Sequence, residues 1–279
     1  MSPDPAPLRL AFSPCPNDTF VFHALVHGLV PGAPAFEVTY ADVDVTNTAA
    51  ERGEYDLVKV SYAALPWLTG DYSARGEGAR GYELLPCGGA LGRGCGPLVL
   101  VRDPDRVPSL AGRRVAVPGE RTTAYLLMRL WSAAAPPAEI VVVPFHQIMP
   151  GVAAGEFDAG LVIHEARFTY PRFGLTALAD LGEWWEGETG LPIPLGAILA
   201  RRGAVDPTAA AEWIRASVRH AWAYPAASQE YVLAHAQEME PDVVARHIAL
   251  YVNTFTEDLG QEGRAAVDAL LSRADMLAR

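Results

Sequence analysis

Two stretches of this 279-residue chain repeat one order of strand, helix, strand, helix and strand. In both, short apolar runs of strand length alternate with segments of helical period, which is typical of parallel α/β units. Each second helix is followed by Gly-Glu-aromatic-Asp, at residues 53–56 and again at residues 155–158. Glycine ends the helix and aspartate starts the next strand, so this tetrapeptide marks architecture. Two units of the same order predict two lobes.

The chain is expected to cross twice between these units. A glycine-rich segment at residues 88–97 precedes a predicted crossing strand over Leu98–Val101, and a second crossing is predicted at residues 192–199, before a helical tail that continues to Arg279. The prediction is an α/β, bilobed periplasmic-binding-protein-like (type II) fold with two parallel or mixed sheets, a hinge and a helical C-terminal tail. The predicted lobes are residues 1–97 with 199–279 and residues 98–198, with a ligand cleft between them.

Charge and hydropathy exclude several classes of partner. The formal net charge is −11, whereas nucleic-acid binding depends on an excess of cations, so no nucleic acid is expected as a partner. The first residues lack a basic segment followed by an apolar one, and no run of about 18 apolar residues occurs. A cytoplasmic protein without a membrane partner is the expectation. The spacing of Cys15, Cys87 and Cys95 fits neither a zinc ribbon nor a disulfide framework, which predicts reduced thiols.

Residues 13–19, Ser-Pro-Cys-Pro-Asn-Asp-Thr, directly follow an apolar strand and open a helix. Parallel α/β units bind ligands at the C-terminal ends of their strands, where helix N-termini present N–H groups to anions. Ser13, Asn17 and Thr19 are therefore candidate contacts of a small anionic ligand. Cys15 could be a nucleophile with a lowered thiol pKa at this helix N-terminus, although an unreactive thiol is the favoured interpretation.

Lys59 is the single lysine of the chain and lies within an apolar run at residues 57–60. It alternates with Ser61 on one face of the predicted strand, opposite Val60. If that face lines the cleft, an ammonium and a hydroxyl group meet an anionic ligand there. The alternative is a lysine that extends from a sheet edge to solvent.

Thr122, Thr123 and Ala124 occupy the corresponding helix start in the second unit. They are either an ordinary N-cap or a carboxylate-binding site. Capping is the commoner role, and the matching placement in both units favours the ligand.

His164 directly follows the strand predicted at residues 159–163. Imidazole titrates near neutral pH, so His164 is the candidate general base of the cleft. The alternative is a hydrogen-bonded structural histidine. Glu165, Arg167 and Tyr170 follow closely and are candidates for orienting the ring.

No chemical role is predicted for the other histidines. Those in the helical tail are expected at the surface: His220, His235 and His247. His146 is expected to cap or pack, and His23 with His27 lacks the third ligand that a metal site needs. The glycines of residues 88–97 match no nucleotide-binding motif, and neither a Ser-His-Asp order nor His-Glu-x-x-His occurs. No metal or cofactor is therefore expected.

Four segments in register, residues 13–20, 89–94, 122–125 and 163–171, resemble the 1,4-dihydroxy-6-naphthoate synthase family of the futalosine route to menaquinone. The resemblance covers nearly the whole chain and implies a cytoplasmic, cofactor-independent lyase of the same bilobed fold. It implies cyclic dehypoxanthinyl futalosine as substrate, and the naphthoate with a three-carbon sugar fragment, dihydroxyacetone, as products. It also implies that His164 is the proton acceptor. The implied substrate contacts are Lys59, Val60, Ser61, Thr122, Thr123, Ala124 and Tyr125.

The implied chemistry agrees with the residue pattern. The substrate brings a carboxylate and a ring that one deprotonation makes aromatic, so a single base suffices and no redox cofactor or metal is required. Two alternatives remain at this stage: a non-catalytic protein that binds small carboxylates, and a sister enzyme such as chorismate dehydratase. The sequence does not determine the oligomeric state.

Overall fold

The computed structural model describes residues 6–69, 81–236 and 240–278. Apolar runs form the strands and amphipathic segments form the helices, in the alternation that the sequence predicts. The strands are β1 Leu8–Phe12, β2 Phe36–Tyr40, β3 Leu57–Ser61, β4 Tyr82–Leu84, β5 Ala90–Gly92, β6 Leu98–Val101, β7 Arg114–Val117, β8 Glu139–Val142, β9 Ala159–Val162, β10 Thr176–Asp180 and β11 Ile193–Arg201. The helices are α1 Pro16–Val26, α2 Val43–Glu51, α3 Leu65–Leu68, α4 Thr123–Trp131, α5 Phe145–Ala154, α6 Ala166–Thr169, α7 Leu181–Thr189, α8 Pro207–Ala223, α9 Gln229–His235, α10 Pro241–Tyr251, α11 Thr254–Glu257 and α12 Gly260–Ala278.

The first sheet has the strand order β2-β1-β3-β11-β4, with β5 also paired to β11. Strands β1, β2 and β3 are parallel, and β11 runs antiparallel to β3, β4 and β5. The parallel part is the first predicted unit, β1-α1-β2-α2-β3. Because parallel strands end at the same edge, the residues after β1 and β3 lie side by side.

The second sheet has the strand order β10-β6-β9-β7-β8. Strands β7, β8 and β9 are parallel and form the second predicted unit with α4 and α5, whereas β6 is antiparallel to β9 and β10. The two mixed sheets with a helical C-terminal segment confirm the predicted fold class.

The chain crosses from one sheet to the other just before each of the two segments predicted as crossings, residues 98–101 and 192–199. Among the described residues, β6 pairs with β9 and β10 of the second sheet, and β11 pairs with β3, β4 and β5 of the first. The passages are therefore residues 93–97 and the segment that contains α7. Sheet pairing places residues 193–198 with the first sheet, and the boundaries of the two lobes stay a prediction.

Glycines allow the two passages to touch. A Cβ atom on Gly96 would lie 2.1 Å from the backbone nitrogen of Gly182, closer than any packed structure permits. Outside the two passages, a Cβ atom on Gly89 would lie 2.5 Å from the carbonyl oxygen of Gly196 in β11. Close backbone approach is therefore the physical reason for glycine at these two positions.

The C-terminal helices cover the first sheet by packing on α1. The Ser217 hydroxyl in α8 donates to the Val21 carbonyl at 2.6 Å and accepts from the Leu25 N–H at 3.2 Å. The predicted end of the tail, Arg279, lies outside the described residues. Within the described ranges, no helix has both the length and the apolar character needed to cross a membrane.

Candidate active site

A cleft lies where the C-terminal ends of β1 and β3 face those of β7 and β9. Both helix N-termini singled out in the sequence, those of α1 and α4, reach it. Eight of the predicted site residues line its wall: Ser13, Asn17, Lys59, Ser61, Thr122, Thr123, Ala124 and His164. The prediction that these segments converge on one cleft is consistent with this geometry.

Three other predicted contacts are not among the lining residues. The Thr19 hydroxyl is buried and donates to the Cys15 carbonyl at 3.1 Å. Val60 is fully buried in the core on the opposite face of β3. Tyr125 donates its backbone N–H to the Thr122 hydroxyl at 3.1 Å, as the third residue after the N-cap. These residues support the wall rather than form it.

Lys59 lies in a central strand and forms a buried ion pair with Asp18. The alternative of a lysine at a sheet edge is therefore wrong, because β1 and β11 flank its strand. The Asp18 carboxylate also accepts from the Ser13 hydroxyl at 2.7 Å and from the Asn17 amide at 2.8 Å. The anion at the N-terminus of α1 is thus a side chain of this chain, and the lysine charge is already balanced.

Ser61 retains a donor for a ligand. Its hydroxyl oxygen accepts from the Asn47 amide at 3.3 Å, and its backbone N–H donates to the Asn47 carbonyl oxygen at 2.8 Å. Since the hydroxyl accepts in this pair, its own proton remains to be donated. Asn47 therefore fixes Ser61 at the end of β3 and was not singled out in the sequence.

The two threonine hydroxyls at the start of α4 have structural partners. Thr122 donates to the Gly119 carbonyl at 2.8 Å while it caps the helix, so capping explains its side chain. Thr123 donates to the Leu195 carbonyl at 2.9 Å and accepts from the Ala63 N–H at 3.2 Å, which ties α4 to the first sheet. Helix α4 therefore offers a ligand its first backbone N–H groups, because these have no intrahelical partner.

His164 has a left-handed backbone conformation with φ of 56°, the one positive φ outside glycine in the part of the chain that the structure describes. Such a conformation is unfavourable by about 1 kcal/mol or more and occurs mostly where the surroundings enforce it, often at functional sites. Phe145 packs edge-to-face on the ring at 5.5 Å, and Cys15 Sγ lies 3.2 Å from Nδ1. Burial, assisted by the Lys59 charge, lowers the pKa of His164 to about 4 against the opposing effect of Asp18. The ring is therefore an uncharged acceptor at neutral pH.

Burial and the nearby Glu165 carboxylate raise the pKa of the Cys15 thiol well above its ordinary value. This is the opposite of the shift that would make it a nucleophile, so Cys15 remains protonated. Within the described residues, one group of side chains could hold a metal ion: Cys15, His164 and Glu165, whose ligand atoms lie within 4.8 Å of one another. Arg167 does not orient the histidine, because it pairs with Asp180 and donates to a backbone carbonyl.

The prediction of His247 at the surface is wrong. This residue is buried in α10, lines the cleft, and has Nε2 at 2.8 Å from the Asn17 carbonyl oxygen. Because Asn17 donates its amide to Asp18, its carbonyl oxygen accepts, and Nε2 of His247 carries the proton. Burial lowers the pKa of His247 well below its ordinary range. The spacing of His247 and Tyr251, one helical turn apart on α10, was the available signal.

Comparisons with known proteins identify the family. The family model described as menaquinone biosynthesis matches residues 8–276. A Streptomyces coelicolor protein described as 1,4-dihydroxy-6-naphthoate synthase is 62% identical over 272 residues, which cover 96% of this chain and 92% of that protein. A Thermus thermophilus protein with the same description is 48% identical and covers 96% of this chain and 94% of its own length.

Solved structures agree with the fold. An Archaeoglobus fulgidus protein has a TM-score of 0.86 at 31% identity, with 97% of both chains covered. A Candida albicans protein described as having the generic periplasmic binding protein fold has a TM-score of 0.70 at 11% identity, with 99% of this chain and 92% of that chain covered, and so shows the fold alone. Since the family model and close relatives span almost the whole sequence, this chain belongs to the menaquinone-biosynthesis family, as an enzyme of the 1,4-dihydroxy-6-naphthoate synthase type.

Proposed function

We propose that this enzyme is a lyase that converts cyclic dehypoxanthinyl futalosine to 1,4-dihydroxy-6-naphthoate and dihydroxyacetone, with His164 as its general base. The observation that carries the proposal is the state of His164, an uncharged imidazole held in a strained conformation on the wall of the cleft. A general base must be unprotonated before it acts and must be positioned against its substrate. The lowered pKa of His164 supports the first condition at neutral pH, and its place on the cleft wall supports the second.

The substrate carboxylate is a small anion and needs donors within the cleft. The first backbone N–H groups of α4, at Thr123 and Ala124, and the remaining proton of Ser61 supply them. Lys59 serves instead to neutralise Asp18, so its contribution to anion binding is indirect. The carboxylate would thereby be held across the cleft from the first lobe to the second.

The reaction then needs only one proton acceptor at the start. His164 removes a ring proton, aromatisation supplies the driving force, and the C–C bond to the three-carbon fragment breaks. Positioned proton transfer typically contributes about 10²- to 10⁴-fold to the rate. Enclosure between two lobes adds orientation and excludes water.

Two alternatives share the fold and remain outcomes of the same test. A protein that only binds small carboxylates has no use for a strained, uncharged histidine in its cleft. A chorismate dehydratase-like enzyme is disfavoured by the Ser-Pro-Cys-Pro-Asn-Asp segment at residues 13–18, whose carboxylate organises one wall of the site.

Incubation of the purified enzyme with cyclic dehypoxanthinyl futalosine tests the proposal, with the naphthoate followed by absorbance and mass. The His164→Asn variant is expected to bind the substrate but to lose at least ~100-fold in kcat. His27→Asn is a matched control, because His27 is exposed at the end of α1 and away from the cleft. Absence of product with folded protein would refute the lyase assignment, and near-normal turnover of His164→Asn would remove His164 from the mechanism.

A further inference from the structure

The role of His164 depends on which of its two nitrogens carries the proton. A neutral imidazole has one N–H donor and one acceptor nitrogen, and the partner of one nitrogen determines the state of the other. Nδ1 lies 3.2 Å from Cys15 Sγ. Because Cys15 is buried and is not part of the cleft wall, the opposite side of the ring, with Nε2, is left to face the substrate.

Two hydrogen-bond arrangements fit this contact. If the thiol donates to Nδ1, then Nε2 carries the proton and is not a base. If Nδ1–H donates to sulfur, then Nε2 has the free lone pair. A Glu165 oxygen lies within 4.8 Å of the sulfur and of a ring nitrogen, and this carboxylate raises the pKa of the Cys15 thiol. It favours the second arrangement, because it attracts the thiol proton away from Nδ1 and leaves a sulfur lone pair to accept Nδ1–H.

Cys15 is held rigidly for such a role. Its carbonyl oxygen accepts from the backbone N–H groups of Asp18 and Thr19, each at 3.0 Å, and from the Thr19 hydroxyl at 3.1 Å. Its own N–H donates to the Ser13 hydroxyl at 3.4 Å. The N-cap geometry of α1 therefore fixes the Cys15 backbone, and the side chain is buried against its neighbours.

We propose that Cys15 is a positioning residue whose sulfur accepts the Nδ1–H of His164, so that the imidazole presents its lone pair on Nε2 to the substrate. The inference rests on the proposed function of His164. A thiol suits this task because it adds no charge next to the ring. A carboxylate in direct contact would favour the imidazolium, whereas the neutral sulfur orients the ring and leaves it unprotonated.

The tautomer can be measured without substrate. Two-bond ¹H–¹⁵N correlation spectra of the ¹⁵N-labelled enzyme, with the His164 signals assigned by their loss in His164→Asn, report which nitrogen is protonated. We expect Nδ1–H in the wild type and a shift of the population toward Nε2–H in Cys15→Ala. Cys15→Ser is the second variant, because its hydroxyl can still accept but has a shorter reach.

Kinetics give the second measurement. We expect Cys15→Ala to lower kcat by at least ~10-fold with KM changed by less than ~2-fold, because the contact affects the base and not substrate binding. Cys15→Ser should recover part of the loss. Cys87→Ser is the matched control, a buried thiol that bonds to the Ala211 carbonyl away from the cleft, and it should retain wild-type kcat and tautomer.

An Nε2–H tautomer in the wild type, or an unchanged tautomer in both Cys15 variants, would overturn the inference. This result is separable from failure of the proposed function. If the wild type forms no naphthoate, the lyase assignment fails, while the spectra still decide the Cys15 contact.

Discussion

The ion pair between Lys59 and Asp18 provides the sharpest test of the site's electrostatics. Both side chains are almost fully buried, with exposed fractions of 8% and 2%. Removal of one partner from such a pair leaves a buried charge without compensation, which typically lowers the free energy of unfolding by about 3–5 kcal/mol. We therefore expect Asp18→Asn, which keeps the shape and removes the charge, to destabilise the protein by about this amount.

Two further hydrogen bonds add to the effect. Asp18 accepts from Ser13 and from the Asn17 amide, and an asparagine at position 18 can serve only one of these donors with its single carbonyl oxygen. Hydrogen bonds to charged groups contribute about 1.5–3 kcal/mol each. The upper half of the 3–5 kcal/mol range is therefore the more appropriate expectation.

Thermal unfolding of four proteins measures this effect: the wild type, Asp18→Asn, Lys59→Met and the double variant. A loss of 3 kcal/mol corresponds to a fall in Tm of about 6–12 °C in a protein of roughly this size. The double variant removes both charges, so it should be more stable than Asp18→Asn alone. Glu139→Gln is the control, because it breaks a solvent-exposed pair with Arg114 and should change stability by less than about 1 kcal/mol.

The outcome that refutes the reasoning is a loss of less than about 1 kcal/mol in Asp18→Asn. The ion pair would then behave like an exposed one, and Lys59 would be able to reach solvent. A double variant whose loss equals the sum of the single losses would also refute it, because the two charges would not interact.

Two further predictions concern the interlobe passages and pH. Gly96→Ala should lower the free energy of unfolding by about 1–3 kcal/mol, measured by thermal unfolding, because its Cβ meets the backbone of Gly182. Gly187→Ala is the control and should be neutral or stabilising, because no atom lies within 4 Å of its Cβ. Equal Tm values for the two variants would contradict this prediction. Burial lowers the pKa of His247 in the folded protein, so below the ordinary histidine pKa the unfolded chain binds more protons than the folded one. The free energy of unfolding is therefore highest above about pH 6.5 and falls as the pH is lowered, by up to about 1.4 kcal/mol per pH unit. In Tm measurements from pH 7.5 to 5, His247→Gln should show a shallower decline than the wild type, and an identical decline would exclude His247 as a source.

The fold was accessible from the sequence because it depends on periodicity. The strand and helix order of both units follows from where apolar residues recur, and the C-terminal ends of the parallel strands then indicate where a cleft forms. That step places His164 and Ser61 near one another without any knowledge of side-chain contacts. What periodicity does not contain is the distant pairing of polar groups. His247 contacts Asn17 across 230 positions of the chain, and only the packing of α10 on α1 brings them together.

The same limit explains why Lys59 was predicted as an anion receptor. An isolated lysine in an apolar strand has a large desolvation penalty, which requires a partner of opposite charge. The partner, Asp18, lies in the segment already singled out, at residues 13–19. The sequence contained both charges, but the packing of α1 against β3 that brings them together exists only in the folded protein.

These pairings give the cleft a consistent electrostatic character. The one lysine is neutralised by Asp18, and burial keeps both His164 and His247 uncharged at neutral pH. In the proposed function, attraction for the substrate carboxylate therefore comes from the first backbone N–H groups of α4 and from the Ser61 hydroxyl, which do not titrate. A free ammonium group in this place would pair with the carboxylate more strongly, and it would lower the proton affinity of His164 further, since a nearby cation opposes protonation. The Asp18 carboxylate opposes that effect and so limits the fall in the pKa of His164.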